Sequence, residues 1–84
     1  MNLSFSKIPN NGQTINLKQE LIIPIDFNRM KNMFTADYKP LDISIESRKG
    51  SQAIELFSKR FVHLYNQKEK LSKSQQKHFN QIVK

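Results

Sequence analysis

The 84-residue chain has no cysteine and no long apolar run. Without cysteine it can form no disulfide, no thiolate zinc site and no cysteine nucleophile, so nothing in it requires an oxidising compartment. The longest apolar run, Leu21-Ile22-Ile23, is followed by Pro24 and is too short for a membrane-spanning helix or a signal peptide. These absences predict a cytoplasmic protein with no membrane partner.

Catalytic and metal-binding motifs are missing as well. The two histidines, His63 and His78, belong to no HExxH pattern and have no second ligand at helical spacing, so we expect no metal and no cofactor. The carboxylates fall in different predicted elements, which leaves no visible acid/base pair. The chain is therefore predicted not to be an enzyme.

The composition favours one small folded domain over residues 1–84. Apolar residues make up 37% of the chain and charged residues 25%, a balance that is not typical of disorder. A domain of this length buries only about 60% of its unfolded surface. We therefore expect marginal stability or a partner.

The net charge of +7 is unevenly distributed along the chain. Residues 1–46 contain five basic and five acidic side chains, whereas residues 47–84 contain nine basic and two acidic ones. Clustered lysine and arginine attract polyanions and gain affinity by releasing counterions from phosphates. The basic half, residues 47–84, is therefore expected to engage nucleic acid, either DNA or RNA, or a nucleoprotein complex. A lysine-rich helix face that is merely solvated remains the alternative.

The first half of the chain is predicted to be mostly β-structure. Apolar residues alternate over 3–17 across an Asn-Gly pair, which indicates a hairpin, and over 41–47, which indicates a strand. Residues 18–25 are predicted to form a strand that Pro24 ends or keeps at an edge. Asp26 is predicted to cap a short helix over 27–34, because its apolar residues recur at helical spacing, and residues 35–40 to form a loop.

The second half is predicted to be helical. An apolar stripe at helical spacing predicts a long helix over 52–70 with Ser51 as its N-cap. Ser72 followed by Gln75 matches a capping box and favours a separate terminal helix over 73–83. A single helix is the alternative, since residues 52–84 contain neither Gly nor Pro, but it would be about 50 Å long and would project from the domain.

These elements predict an α+β fold in which helices pack on a small, mostly antiparallel sheet. The core is expected to contain the apolar residues of both halves, namely Phe5, Ile15, Leu17, Ile22, Phe27, Met30, Phe34, Ile43, Ile45, Ile54, Phe57, Phe61 and Leu64.

Polar and basic residues opposite the apolar stripe are candidates for contacting nucleic acid. Lysines spaced along one helix face can follow a phosphate backbone, and an asparagine can meet a base edge. Arg48 and Lys49 lie in a turn before the long helix, where the start of a helix favours an anion. The simpler interpretation is an exposed turn with two solvated basic residues. The candidate set is Arg48, Lys49, Lys59, Arg60, His63, Asn66, Lys70, Lys73 and Lys77. Lys73 and Lys77 lie on the same helix face as Lys59 and His63 only if the helix is continuous.

Two other functions remain open. A C-terminal apolar stripe longer than the sheet can cover would bind a host protein or a second copy of the chain, as an inhibitor or modulator does. Its candidate residues are Leu71, Phe79, Ile82 and Val83. A small metal-independent ribonuclease would use His63 or His78 with nearby cations. The abundance of Lys, Asn and Ile indicates AT-rich coding DNA, in keeping with a low-GC bacterium or one of its phages or mobile elements.

Overall fold

The computed structural model describes residues 2–84 as four strands followed by two helices. The strands are β1 (Asn2–Asn10), β2 (Gln13–Asn28), β3 (Met33–Tyr38) and β4 (Ile43–Ser47), and the helices are α1 (Gly50–Asn66) and α2 (Lys73–Ile82). Two short 3-10 turns, Lys39–Leu41 and Lys68–Lys70, precede β4 and α2. The predicted α+β class is confirmed.

The strands form one antiparallel sheet in the order β1-β2-β3-β4. The predicted first hairpin is confirmed, and its turn contains Asn11 at φ 49° and Gly12 at φ 82°. Both values lie in the left-handed region, where glycine and asparagine are tolerated best, so the Asn-Gly pair gives the turn its shape.

The long strand β2 changes partner along its length. Pro24 pairs with Asn2 at the end of the β1 ladder, and pairing with β3 begins at Ile25. A strand tolerates the missing N–H of proline best at such a position, so β2 continues through Pro24 instead of ending there. The register with β1 also shifts between Phe5 and Lys7, where residues 17–20 of β2 stand opposite a single β1 residue.

The predicted helix over 27–34 is wrong. These residues form the end of β2, a turn and the start of β3, with Phe27 paired to Phe34 across the hairpin. The turn is held by the Asn28 side-chain oxygen, which accepts hydrogen bonds from the Met30 and Lys31 backbone N–H groups. Phe27 and Phe34 are seven positions apart, a separation that fits two turns of a helix and also fits a pair across a hairpin. In the structure they pair across the hairpin. The predicted loop over 35–40 is likewise wrong, because β3 extends to Tyr38.

The C-terminal half contains two helices, as predicted, rather than one. α1 ends at Asn66, and α2 begins after Ser72 with the predicted capping box, in which Ser72 and Gln75 each accept a backbone N–H of the other. The longest dimension of the molecule is 37 Å. A continuous helix would exceed that dimension, whereas the turn folds α2 back onto the sheet.

Ser51 is not the N-cap of α1, contrary to the sequence prediction. The helix begins one residue earlier, at Gly50, and its N-cap Lys49 makes no side-chain capping bond. Ser47 holds this turn instead: its hydroxyl accepts from the Lys49 backbone N–H and lies 2.8 Å from the Lys49 carbonyl oxygen. Ser47 is a buried polar residue at 3% exposure, and these local bonds satisfy it.

The helices cover one face of the sheet, and the core lies between the two layers. Phe57 of α1 is fully buried and stacks on Phe5 of β1 with ring centroids 5.3 Å apart. Seven of the thirteen predicted core residues are buried, namely Phe5, Ile15, Leu17, Ile43, Ile45, Phe57 and Phe61, and Phe34 and Leu64 are partly buried against them. The prediction fails for four residues with exposed side chains: Ile22, Phe27, Met30 and Ile54. Over residues 2–84, neither helix has the length and apolarity needed to cross a membrane.

Candidate nucleic-acid interface

The exposed cations of α1 lie on the flank that faces the edge of the sheet. Lys59, Arg60 and His63 all have exposed side chains and line one groove between α1 and β4. They come together because residues three and four positions apart share a helix face. Lys59 also forms an ion pair with Glu55, 3.2 Å away and one turn earlier on α1. With both side chains more than half exposed, this pair adds little stability.

The groove beside β4 has an apolar floor and a mainly basic rim. Its volume is about 440 Å³, and Ile45 of β4 and Leu56 of α1 contribute the apolar lining. Leu56 is 40% exposed, so part of its side chain is available to a ligand in the groove. β4 is the last strand of the sheet and pairs only with β3 among residues 2–84, so no strand covers its outer edge.

One acidic side chain, Glu46, also lines this groove. Its carboxylate lies 3.4 Å from the Lys31 ammonium of the β2–β3 turn, and both side chains are about half exposed. The ion pair partly offsets the negative charge that Glu46 would otherwise bring to the rim. The groove therefore keeps an excess of positive charge from Lys59 and Arg60.

The opposite flank of α1 is mixed in charge. Asn66, predicted to meet a base edge, instead exchanges two side-chain hydrogen bonds with Asn10 of the first hairpin, at 3.0 and 3.2 Å. Glu55 and Val62 line this flank together with the hairpin turn, and Lys59 and His63 reach it as well. The structure thus uses Asn66 to tie the end of α1 to the sheet.

The remaining predicted cations do not extend the α1 face. Lys70 belongs to the 3-10 turn, and Lys73 and Lys77 belong to α2, because α1 ends at Asn66. The helix is therefore not continuous, and Lys73 and Lys77 do not share one helix face with Lys59 and His63. All three side chains are exposed, as are Arg48 and Lys49 in the turn before α1.

The apolar residues considered for protein binding are largely covered by the chain itself. Phe79 is 1% exposed and packs edge-on against Phe61 and Tyr65, with centroids 5.3 and 5.7 Å apart. Val83 pairs with Leu17 of β2. Leu71 and Ile82, like Val83, are partly buried against the core.

The histidines occupy different environments. His63 is exposed at the groove, whereas His78 of α2 is partly buried and its Nε2 is hydrogen-bonded to the Tyr38 hydroxyl. Burial lowers the pKa of His78 and raises the pKa of Tyr38, so both groups favour their neutral forms. Residues 2–84 contain no group of three His, Asp or Glu side chains placed to hold a metal ion.

The sequence identified the basic side of this groove but missed its floor. Helical spacing alone groups Leu56 with the apolar stripe of α1, because a helical wheel cannot show where the sheet stops. Comparison of the chain with protein-family models, curated proteins and solved structures found no match. Its function is therefore inferred from the geometry of the groove and the charges around it.

Proposed function

We propose that the protein is a small non-enzymatic accessory or regulatory protein that binds nucleic acid, or a nucleoprotein complex, through the basic side of its helical layer. The supporting observation is the way the fold arranges the charges. Both helices pack on one face of the sheet, so residues 47–84 with their charge excess form one layer.

The sheet layer is balanced in charge, because residues 1–46 contain five acids and five bases. Asp26 and Asp37 follow the buried residues Ile25 and Ala36 and so project away from the helices. Asp26 and Glu46 flank Thr35 in register across three strands. The net attraction for a polyanion therefore comes from the helical layer.

The test is a salt titration of binding to labelled single- and double-stranded DNA and RNA, measured by fluorescence anisotropy. We expect micromolar or tighter affinity at low salt, with a log–log slope of about 0.9 per phosphate neutralised on duplex DNA. Lys59→Glu with Arg60→Glu should reduce affinity more than tenfold, about 1.4 kcal/mol, and flatten the slope.

The matched control is Lys7→Glu with Arg29→Glu, two exposed residues of the sheet layer. Each pair changes the net charge by −4, so a general charge effect would weaken binding equally in both variants. Absence of binding at low salt, or equal loss in the two variants, would contradict the proposal. Cleavage of the RNA that disappears in His63→Ala or His78→Ala would replace it with the ribonuclease hypothesis.

Protein binding is the second candidate function, and the structure favours different residues for it. Met30 is 99% exposed at the β2–β3 turn, next to the half-exposed Phe27. We expect Met30→Ser with Phe27→Ser to abolish capture of a host protein if this function is correct, and to leave nucleic-acid affinity unchanged. Loss of nucleic-acid affinity in this variant would argue against two separate surfaces.

A further inference from the structure

The cations of α1 differ in what surrounds them. Lys59 and His63 line both flanks of the helix, whereas Arg60 lines the groove beside β4. On the other flank the Glu55 carboxylate lies 3.2 Å from the Lys59 ammonium and offsets its charge. Because Arg60 adds a second cation to the groove beside β4, the positive potential favours a polyanion that lies along this groove.

The groove also has an apolar surface, which phosphates do not contact. Ile45 and Leu56 form an apolar floor between the helix and the uncovered edge of β4, below the rim formed by Lys59 and Arg60. A duplex presents phosphates on its outside and keeps its base faces stacked, so it would contact the rim and leave the floor exposed. An unpaired strand presents phosphates and base faces together, which matches a basic rim above an apolar floor.

We infer that this groove is a binding site for single-stranded nucleic acid, with phosphates against Lys59 and Arg60 and unpaired bases against Leu56, Ile45 and the His63 ring. This inference rests on the proposed function and specifies its ligand. It predicts a preference for unpaired over paired strands that depends on the apolar floor and not on net charge.

A tryptophan placed in the floor would report base contact directly, because the chain has no tryptophan of its own. Leu56→Trp puts the indole in the groove, and a stacked base quenches indole fluorescence. The matched control is Ile54→Trp: Ile54 is 48% exposed and Leu56 is 40% exposed. Their separation of two residues puts them about 160° apart around the helix. Thermal melting confirms that each variant is folded.

Both variants are titrated with an unlabelled single strand of about twelve nucleotides and with its duplex, within the site sizes known for single-strand binders. Anisotropy of labelled copies measures binding in parallel. We expect the single strand to quench the Leu56→Trp protein by about half, and the duplex at equal saturation to quench it far less. Leu56→Gln should weaken single-strand affinity about fivefold and leave duplex affinity unchanged.

Each other outcome is decisive. Three results would overturn the single-strand site but leave the proposed function standing, provided that anisotropy shows binding. They are equal quenching of both variants, no quenching of either, and the same quenching by duplex as by the single strand. No binding of any nucleic acid overturns the proposed function, and the single-strand site with it.

Discussion

The sheet layer and the helical layer of this protein differ in the balance of their acidic and basic side chains. Each layer has one ion pair among residues 2–84, Lys31 with Glu46 in the sheet layer and Lys59 with Glu55 in the helical layer. The layers differ in net charge: residues 1–46 contain equal numbers of acids and bases, whereas residues 47–84 contain nine bases and two acids. Most cations of the helical layer are exposed to solvent, where they contribute little to stability and are available to an anion.

The two layers nevertheless share one core, and the largest loss of stability should come from a substitution in that core. Phe57→Ala removes a fully buried ring that contacts Phe5 and Tyr38 of the sheet. We expect a loss of about 3–5 kcal/mol, a large part of the roughly 5–15 kcal/mol that stabilises a typical domain. Urea unfolding measures it. Phe27→Ala, at an exposed aromatic pair, should cost only about 1 kcal/mol. A sheet signal that survives while the helices unfold would show that the layers are independent.

A smaller effect should come from the hairpin turn of the sheet. An added Cβ at Gly12 would meet no atom within 4 Å, so Gly12→Ala is strained only by its φ of +82°. We expect a loss of about 1–2 kcal/mol in the free energy of unfolding. Asn11→Gly, at a φ of 49°, should stay within about 0.5 kcal/mol of the original chain. A neutral Gly12→Ala would mean that the turn does not need a left-handed residue.

The turn between the helices should be about as sensitive, or slightly less so. Ser72→Ala removes the side chain that accepts the Gln75 N–H, and we expect a loss of about 1 kcal/mol with an unchanged denaturant slope. Ser74→Ala is the control, since Ser74 is an exposed serine in the first turn of the same helix. Equal effects of the two changes would contradict a capping role.

The smallest effect should be the pH dependence of the contact between α2 and β3. Burial lowers the pKa of His78 below its usual 6.5, so the folded state binds fewer protons than the unfolded state near that pH. Stability contributed by neutral His78 is complete above pH 6.5 and should decline as the pH falls towards the lowered value. His78→Gln should flatten the change in urea midpoint between about pH 7.5 and 5.5. An identical slope in both proteins would assign it to other groups.

The sequence predicted what depends on local chemistry and failed where distant strands decide. The Asn-Gly turn, the alternation over 41–47 and the Ser72–Gln75 box each determine their own neighbourhood, and each is confirmed. The failure at Phe27 and Phe34 has a different cause. Their helical spacing is real, but pairing with β4 through β3 supplies hydrogen bonds that no local pattern reveals.

The candidate site shows the same division. Helical spacing predicted that Lys59 and His63 share one face, and the structure places Arg60 in the same groove. The groove floor needed the position of the β4 edge relative to Leu56, which follows from the strand order. Whether these residues bind nucleic acid stays a prediction.

The register shift in β2 has a consequence for backbone dynamics. Residues 18–20 have no backbone pairing with β1 or β3, although Leu17 pairs with Val83 and Leu21 with Phe5. Side chains connect this stretch to its neighbours: the Ser4 hydroxyl donates to Glu20, and Lys18 donates to the Asn80 carbonyl oxygen of α2. In amide hydrogen exchange we expect β2 to be protected at both ends and to exchange fast at its middle, so that one long strand behaves as two short ones joined by a flexible segment.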